Sequence, residues 1–342
     1  MRLPEAELAA DNAPHVARGR TLIVGFGEPE LVRALRGGSD ETVALETDYG
    51  AFRRVRQASG MRAIYAPWIS PATAGAFDAV VVRLPKETER LRMLLAVARG
   101  VVASGGWISV CGRNDAGIRS AARHMREVVA GEPEVVAYGR HSRLLRTQPS
   151  ARKPFIPREW RTIGDAADEA LRVVGFPGVF ASGRVDPATS LLLETIDIPD
   201  GACVLDVGCG SGVIASTLAR RGDVKVHAVD TDALAIVATR QTARANGTED
   251  RISVWGSDVF SDVDEHGYTH IVSNPPFHAG VRTTTEVGRR LIGEAPQHLA
   301  RGGELWIVAN RFLDYRTPLD EAFGGHDVVA ETGKYRVYRA RR

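Results

Sequence analysis

The sequence predicts an α/β protein with two tandem Rossmann-like domains that arose by internal duplication, and three observations support this fold class. The chain has 342 residues, which is long for a single hydrophobic core. Both halves alternate strand-like runs with amphipathic stretches, as in a parallel sheet covered by helices. A strand followed by a glycine turn also occurs twice, at TLIVGFG and at CVLDVGCGSG.

Five segments of the first half match five segments of the second half in the same order. After the glycine turns, TVALETD matches VHAVDTD, and FDAVVVRLPK matches YTHIVSNPPF. Further on, ARGVVASGGWISVCGR matches APQHLARGGELWIVAN, and HSRLLRT matches KYRVYRA. The constant order indicates a duplication. The prolines of PSARKPFIPREW disfavour a continuous helix, so we predict domains at 1–150 and 151–342, with a helix around Leu191, Leu192 and Leu193 beside the second sheet.

The overall composition argues against several classes of protein. No run approaches the roughly 18 apolar residues of a membrane span, and the first residues lack the apolar core of a secretory signal. The three cysteines, Cys111, Cys203 and Cys209, form no CxxC pair and no obvious disulfide framework. We therefore expect a cytoplasmic protein that acts as a monomer, without a metal site and away from membranes.

Positive charge is concentrated in the first half of the chain. Residues 1–150 contain 21 Lys and Arg against 16 Asp and Glu, whereas residues 151–342 contain 23 against 26. Seven cations lie close together near the predicted boundary, namely Arg140, Arg143, Arg146, Arg152, Lys153, Arg158 and Arg161. This run is compatible with a phosphate-contacting face and equally with a solvated linker.

The second glycine turn has the features of a cofactor site. A dinucleotide-binding turn has the spacing G-x-G-x-x-G and receives a pyrophosphate. Here the spacing is G-x-G-x-G at Gly208, Gly210 and Gly212, with Asp206 two residues before the first glycine. That carboxylate would repel a pyrophosphate but suits an ammonium and a sulfonium, while the glycines allow close approach of the ligand. Asp230 ends the next strand and can accept from both ribose hydroxyls, so we predict that S-adenosylmethionine binds here.

A third acidic residue follows the next short strand. Asp258 in GSDVF should lie at the carboxyl edge of the sheet, where ligands bind in open α/β folds. We expect its side chain to accept a hydrogen bond from the adenine amine of the cofactor.

The fourth strand of the second half leads directly into Asn274, Pro275, Pro276 and Phe277. An exocyclic amine on a base is a poor nucleophile because its lone pair is delocalised into the ring. The Asn274 side-chain oxygen and the Pro275 carbonyl could accept from its hydrogens and favour the cationic transition state. Phe277 could stack on a base flipped out of its helix. The motif predicts methyl transfer to a planar amine, and Asn274 would lie beside the cofactor as well.

These motifs resemble the bacterial ribosomal RNA guanine-N2 methyltransferases of the RsmC/RlmG type, in the small-methyltransferase family of class I enzymes. NPPFHAG, GGELWIVANRFLDY and TGKYRVYRA carry the resemblance, which covers nearly the whole chain. It implies methylation of a guanine N2 amine in ribosomal RNA, with 16S RNA as the expected substrate. It also implies the cofactor residues and the catalytic motif already named. GVFASGRVDPATSLLLE resembles the family's segment before the glycine turn, although Ala188 and Thr189 replace the expected Gly-Ser pair.

The first copy is predicted to be degenerate. Ile23 stands in place of Asp206, Phe26 enters the glycine turn, and Pro29 follows it. Arg83-Leu84-Pro85-Lys86 replaces the Asn-Pro-Pro-Phe motif, so the acceptor for an amine is lost. We expect the first domain to act as a scaffold or to dock RNA through Arg53, Arg54, Arg56, Arg83 and Lys86.

Other functions remain compatible with the same residues. The acceptor motif would also serve N6 of adenine or the side-chain amide of a protein glutamine. An RNA-binding ribosome assembly factor without catalytic activity is a further alternative, and the complete set of motifs in the second copy argues against it.

Overall fold

The structure is a computed structural model that describes residues 3–58, 62–166, 171–264, 266–276 and 282–342. It divides into two compact units, Met1–Arg161 and Thr162–Arg342. None of the helices in these parts of the chain has the length and apolar content needed to cross a bilayer.

The first unit contains a seven-stranded sheet with helices. Its strands are β1 (Arg20–Val24), β2 (Glu41–Glu46), β3 (Arg62–Tyr65), β4 (Phe77–Arg83), β5 (Val102–Arg113), β6 (Glu134–Gly139) and β7 (Ser142–Thr147). Its helices are α1 (Pro4–Asp11), α2 (Ala13–Val16), α3 (Pro29–Arg36), α4 (Tyr49–Gln57), α5 (Pro71–Ala74), α6 (Thr88–Val101) and α7 (Ile118–His124). A π-helical turn at Met125–Val129 continues α7, and short 3₁₀ helices occur at Asn114–Ala116 and Pro157–Trp160.

The second unit repeats this arrangement after a two-stranded antiparallel ribbon. Its strands are β8 (Thr162–Ala166), β9 (Leu171–Gly175), β10 (Cys203–Val207), β11 (Lys225–Asp230), β12 (Ile252–Gly256), β13 (Tyr268–Ser273), β14 (Leu299–Asn310), β15 (Asp327–Glu331) and β16 (Tyr335–Arg341). Its helices are α8 (Pro187–Thr195), α9 (Val213–Arg221), α10 (Ala233–Ala245), α11 (Arg282–His298) and α12 (Arg316–Phe323), with a 3₁₀ turn at Glu249–Arg251.

The two large sheets have the same strand order, which confirms the predicted duplication. The order is β3-β2-β1-β4-β5-β7-β6 in the first unit and β12-β11-β10-β13-β14-β16-β15 in the second. In the first sheet, β1 to β5 are parallel and β7 is antiparallel to β5. In the second sheet, β10 to β14 are parallel and β16 is antiparallel to β14. Because β10 lies between β11 and β13, the connections diverge at its carboxyl end. Ligands bind at such a point in open α/β sheets.

Both faces of the second sheet are buried, as expected for parallel strands covered by helices. Side chains of β10 alternate between two apolar clusters, with Val204 in one and Leu205 in the other. The cluster that contains Val204 also contains Leu192 of α8 and Leu218 of α9. The same alternation turns Asp206 towards α8 and α9, at a position where the strand pattern calls for an apolar residue.

The predicted helix at the three leucines is α8. The side chain of Asp186 accepts from the backbone N–H groups of Ala188 and Thr189, and Pro187 occupies the first helical position. Leu192 and Leu193 are buried. The Asp186 cap therefore fixes where α8 begins, and the burial of its leucines holds the rest of the helix against the core.

The segment 151–161, which the sequence analysis assigned to the second domain, contacts the first unit. Nε of Arg99 in α6 donates to the Ala151 carbonyl at 2.9 Å. The Phe155 ring lies 5.6 Å from Trp68 and 6.4 Å from Trp160, measured between ring centroids. Contacts between half-buried aromatic rings and the hydrogen bond from α6 account for the position of this segment, which proline content alone could not indicate.

Candidate functional site

The predicted site residues that the structure describes lie along the carboxyl edge of the second sheet. Asp206 lies within β10, Asp230 ends β11, Asp258 follows β12 and Asn274 follows β13. These four strands are neighbours in the sheet. The topology therefore brings together residues that are up to 68 positions apart in the sequence.

The glycine turn after β10 has left-handed backbone at all three glycines. φ is +78° at Gly208, +55° at Gly210 and +79° at Gly212, a conformation that L side chains rarely adopt. A Cβ at Gly208 would meet nothing within 4 Å, whereas one at Gly212 would lie 2.8 Å from Cα of Thr239 in α10. Gly208 thus leaves open space on the ligand side, while Gly212 is required for packing against α10.

Asp230 fixes the shape of this turn. Its Oδ2 accepts from the backbone N–H of Gly210 at 2.9 Å, and its Oδ1 accepts from that of Asp232 at 2.9 Å. Desolvation raises the pKa of Asp230 to about 6. Each carboxylate oxygen can accept more than one hydrogen bond, so the side chain can still receive a pair of hydroxyl donors.

Asp206 is fully buried, and only one of its two carboxylate oxygens accepts a hydrogen bond in the described parts of the chain. Its Oδ2 accepts from the backbone N–H of Ala215 at 3.2 Å, while Oδ1 has no hydrogen-bond partner in the described parts of the chain. Desolvation raises the pKa of Asp206 to about 7. A buried carboxylate with a free oxygen fits a cationic ligand group, because such a group would offset its desolvation.

Asn274 is buried at the end of β13 with its amide nitrogen fully engaged. Nδ2 donates to Oγ1 of Thr189 at 2.8 Å and to Oδ2 of Asp186 at 3.3 Å. Oδ1 is buried and has no partner among the described residues. The site thus presents an unused acceptor, which an incoming amine could satisfy.

The residues after Asn274 are only partly described. Pro275 is buried and Pro276 is exposed, and neither has an N–H to donate. Phe277, the predicted stacking residue, lies outside the described residues.

A cleft connects the glycine turn with the Asn274 amide. It is lined by Phe180, Ala181, Asp186, Thr189, Gly208, Cys209, Gly210, Ser211, Val213, Ile214 and Asn274. Phe180 is 52% exposed at this cleft, which is unusual for an aromatic side chain. Asn274 lines this cleft with its unused oxygen, whereas the fully buried Asp206 is not among the lining residues.

Asp258 is held by an arginine from α11. Nη1 of Arg290 lies 3.1 Å from Oδ1 of Asp258, and Nη2 donates to the Asp258 carbonyl at 2.8 Å. The backbone N–H of Asp258 donates to Oγ of Ser261 at 3.1 Å. Because a carboxylate can accept several hydrogen bonds, Asp258 retains capacity for an amine donor. Arg290 was missed by the sequence analysis, since nothing in its spacing points to Asp258.

The first unit retains the turn but lacks the ligand groups. The backbone N–H of Gly27 donates to Oε1 of Glu46 at 2.8 Å, which is the counterpart of the contact between Gly210 and Asp230. A Cβ at Gly27 would lie 2.9 Å from Nη2 of Arg54, so that arginine lies against the turn. Phe26 is buried in the core, together with Ile23 in the position of Asp206.

The strand end equivalent to Asn274 is also altered in the first unit. Nε of Arg83 lies 2.9 Å from Oε1 of Glu5 in α1, and Glu5 is buried. Helix α1 packs on β5, β7 and α3, whereas α8 packs on the equivalent β14, β16 and α9. These helices are therefore a further repeated element, which the five matched sequence segments do not include.

Two arginines of the basic run near the predicted boundary form ion pairs within the first unit. Arg140 forms ion pairs with Glu7 at 2.6 Å and Asp11 at 3.0 Å, and Arg146 pairs with Glu134 at 2.7 Å. These acids lie on other elements, so counting charge along the chain could not reveal them. Such exposed pairs add little stability, but they reduce the positive potential of the run.

No group of three or more His, Cys, Asp or Glu side chains suited to a metal occurs in the part of the chain that the structure describes. Cys111, Cys203 and Cys209 form no disulfide bond.

Comparison with known proteins agrees with this duplicated architecture. Residues 170–339 match the family model of the methyltransferase small domain, and residues 7–162 match that of the methyltransferase small domain N-terminal. Proteins named ribosomal RNA small subunit methyltransferase C are similar over nearly the whole chain. The one from Aeromonas hydrophila is 34% identical over 93% of this chain and 92% of its own. The one from Vibrio parahaemolyticus is 30% identical over 100% and 97%.

A solved structure also matches the entire chain. It is the Thermus thermophilus 16S rRNA N2 G1207 methyltransferase (RsmC) in complex with AdoMet and guanosine, with a TM-score of 0.85 and 27% identity. The alignment covers 100% of this chain and 92% of that one. The chain therefore belongs to the small-methyltransferase family, in the group of ribosomal RNA small subunit methyltransferase C.

Proposed function

We propose that this protein is an S-adenosylmethionine-dependent methyltransferase that methylates the exocyclic N2 amine of a guanine in 16S ribosomal RNA. The observation that carries the proposal is the buried, unpartnered Oδ1 of Asn274 beside an open glycine turn. An amine donor would satisfy this oxygen, and the free energy gained would be greatest when the amine becomes cationic.

Four elements of the second unit would hold the cofactor. Asp206 would face its ammonium group, the turn at Gly208 and Gly210 would allow close approach of the backbone, Asp230 would accept from the ribose hydroxyls, and Asp258 from the adenine amine. S-adenosylmethionine supplies the methyl group. The unsatisfied oxygen of Asp206 supports this assignment, because a buried carboxylate without a cation is costly.

The acceptors near the cleft would activate the amine. The Asn274 Oδ1 and the Pro275 carbonyl would take hydrogen bonds from its two hydrogens and hold its lone pair towards the methyl group. As the C–N bond forms, the positive charge on nitrogen strengthens both hydrogen bonds. The surplus proton can leave to water, so these residues need not include a strong base. Phe277 would stack on the base, which would have to be flipped out of any duplex.

The choice of substrate rests on the relatives. They are named for ribosomal RNA of the small subunit, and the Thermus protein is described with guanosine bound. Methylation of adenine N6 or of a glutamine amide would use the same two hydrogen-bond acceptors, but no observation on this chain favours either substrate. An enzyme of this kind would work in the cytoplasm.

The first unit is proposed to support the second and to dock RNA. Residues 1–161 contain 25 Lys and Arg against 17 Asp and Glu, whereas residues 162–342 contain 19 against 25. The catalytic unit by itself would therefore repel a polyanion at long range, and the first unit offsets this.

Mass spectrometry of digested 16S RNA from a strain lacking the gene tests the proposal. We expect N2-methylguanosine to disappear from one position and to return with the wild-type gene but not with Asn274→Ala. Loss of N6-methyladenosine or of a methylated protein glutamine would support an alternative. Unchanged RNA and protein modification would favour a role without catalysis.

A further inference from the structure

We propose that Asp186 and Thr189 are positioning residues that hold the Asn274 side chain in one orientation, with its oxygen towards the substrate amine. The inference rests on the proposed function in naming that amine as the substrate. The orientation itself follows from hydrogen bonds within the second unit.

An asparagine amide can present either its oxygen or its nitrogen to a ligand. These two ends have similar shapes but opposite hydrogen-bonding character. If the Asn274 amide were flipped, its two N–H donors would face the amine and the side chain would offer no acceptor. Correct orientation is therefore a requirement for activating the substrate, and buried surroundings have to enforce it.

The two partners contribute differently. The Thr189 hydroxyl can donate or accept, so it would tolerate either orientation of the amide. Oδ2 of Asp186 already accepts from the backbone N–H groups of Ala188 at 2.9 Å and Thr189 at 3.3 Å. That oxygen functions as an acceptor, so it selects the nitrogen end of the amide at 3.3 Å. Thr189 then satisfies the second N–H hydrogen at 2.8 Å.

The orientation is anchored to the core rather than to a loop. Asp186 caps α8, and Thr189 lies in its first turn, where it is buried. Leu192 and Leu193 of the same helix pack into the core of the second unit. A side chain held by a capped and buried helix loses little entropy when it positions another group.

A contact between the start of a helix and the end of the fourth strand also occurs in the first unit. Helix α1 brings Glu5 to Arg83, and Arg83 occupies the position of Asn274 in the matched strands. Leu3 precedes α1 without a side-chain cap, where Asp186 precedes α8. The duplication thus retained the contact between these elements, while only the second copy has groups that would orient an amide.

Thr189→Val tests the proposal, because it keeps the shape but removes the shorter hydrogen bond at 2.8 Å, which leaves the amide held by Asp186 alone at 3.3 Å. We expect kcat on small ribosomal subunits to fall about tenfold or more, whereas the Kd of S-adenosylmethionine from calorimetry stays within about twofold. Thr189→Ser should restore most of the rate. Thr195→Val, on the same helix but bonded to the Leu191 carbonyl, is the matched control and should leave kcat unchanged.

A double-mutant cycle separates positioning from a direct role. If Thr189 acts through Asn274, then adding Thr189→Val to Asn274→Ala should cause no further loss. An additive loss, or a weaker Kd for the cofactor, would overturn the proposal.

NMR gives a measurement that does not depend on activity. The side-chain amide hydrogens of Asn274, assigned by their loss in Asn274→Ala, should be protected from exchange in wild type and exposed in Thr189→Val. Unprotected hydrogens in wild type would refute the positioning role even in an active enzyme. Protection in a protein that methylates no RNA would instead refute the proposed function.

Discussion

Glu46 accepts a hydrogen bond from the backbone N–H of Gly27 at 2.8 Å, the same contact that Asp230 makes with Gly210 in the second unit. Glu46 is buried, and desolvation raises its pKa to about 7. The first unit has therefore kept the hydrogen bond that fixes its glycine turn, although Ile23 and Arg83 replace the groups that would face a ligand. The contact has a structural role that is separable from cofactor binding.

The first prediction follows from this separation. S-adenosylmethionine should bind with one site per chain, because only the second unit combines the hydrogen bond between the glycine turn and an acidic residue with Asp206 and an open turn. Calorimetry should give a stoichiometry near one. Asp230→Asn should weaken binding, while the matched Glu46→Gln should not. Two equivalent sites, or weaker binding in Glu46→Gln, would contradict the expected asymmetry.

The second prediction concerns the Asn274 acceptor. Asn274→Ala should lower kcat at least about tenfold, which corresponds to ~1.4 kcal/mol of transition-state stabilisation. Cofactor affinity should change little, since other residues are assigned to hold the cofactor. Single-turnover rates on small subunits together with calorimetry would measure both quantities. A smaller loss of rate would rule out the acceptor role.

Much of the fold could be predicted from the sequence because its signals are local. Strand-like runs, glycine turns and their repetition predict two parallel sheets, and both sheets have the expected elements in the same order, except that β7 and β16 run antiparallel to their neighbours. Asp206 and Asn274 could be singled out because each sits next to a recognisable turn or proline pair. The family expected from the resemblance is confirmed by the comparisons.

Other features depend on contacts that a linear pattern does not encode. The hydrogen bond from Asn274 to Thr189 joins residues 85 positions apart, and the pair of Arg290 with Asp258 spans 32. Helix α1 was not matched to α8 because its alanine-rich sequence has one leucine where α8 has three in succession. Gly212 stands in a ligand-binding motif, yet its contact is with α10.

The third prediction concerns the pH dependence of stability. The folded-state pKa of Asp206, about 7, exceeds its ordinary value of 3.8. The folded state thus binds this proton more tightly than the unfolded state, and stability falls as pH rises from about 4 to 7. Asp206→Asn should stabilise the ligand-free protein at pH 8 by ~1–4 kcal/mol and have little effect near pH 4.

Thermal denaturation at both pH values, with and without S-adenosylmethionine, tests this prediction. The cofactor should raise the Tm of wild type more than that of Asp206→Asn, since the variant lacks the anion for the ammonium group. Ile23 occupies the equivalent strand position in the first unit, so a neutral residue is compatible with the fold there. An Asp206→Asn variant that is less stable at pH 8 would contradict the prediction.

The last prediction distinguishes RNA docking by the first unit from a purely structural role. Arg83 is a poor probe, because its reversal would leave the buried Glu5 beside a second carboxylate and destabilise the unit. Lys86 and Arg56 are exposed and better suited.

Lys86→Glu and Arg56→Glu should each weaken RNA binding and lower the log–log salt slope by roughly 0.7–0.9 for every phosphate that the side chain neutralises in the wild-type complex. Cofactor affinity should stay unchanged, since the cofactor residues lie in the other unit. Lys225→Glu, an exposed lysine at the amino end of β11 and away from the site edge, is the matched control for a single charge reversal. Filter binding at several salt concentrations measures affinity and slope together. If both variants behave like the control, the first unit supports the catalytic unit without contacting RNA through these cations.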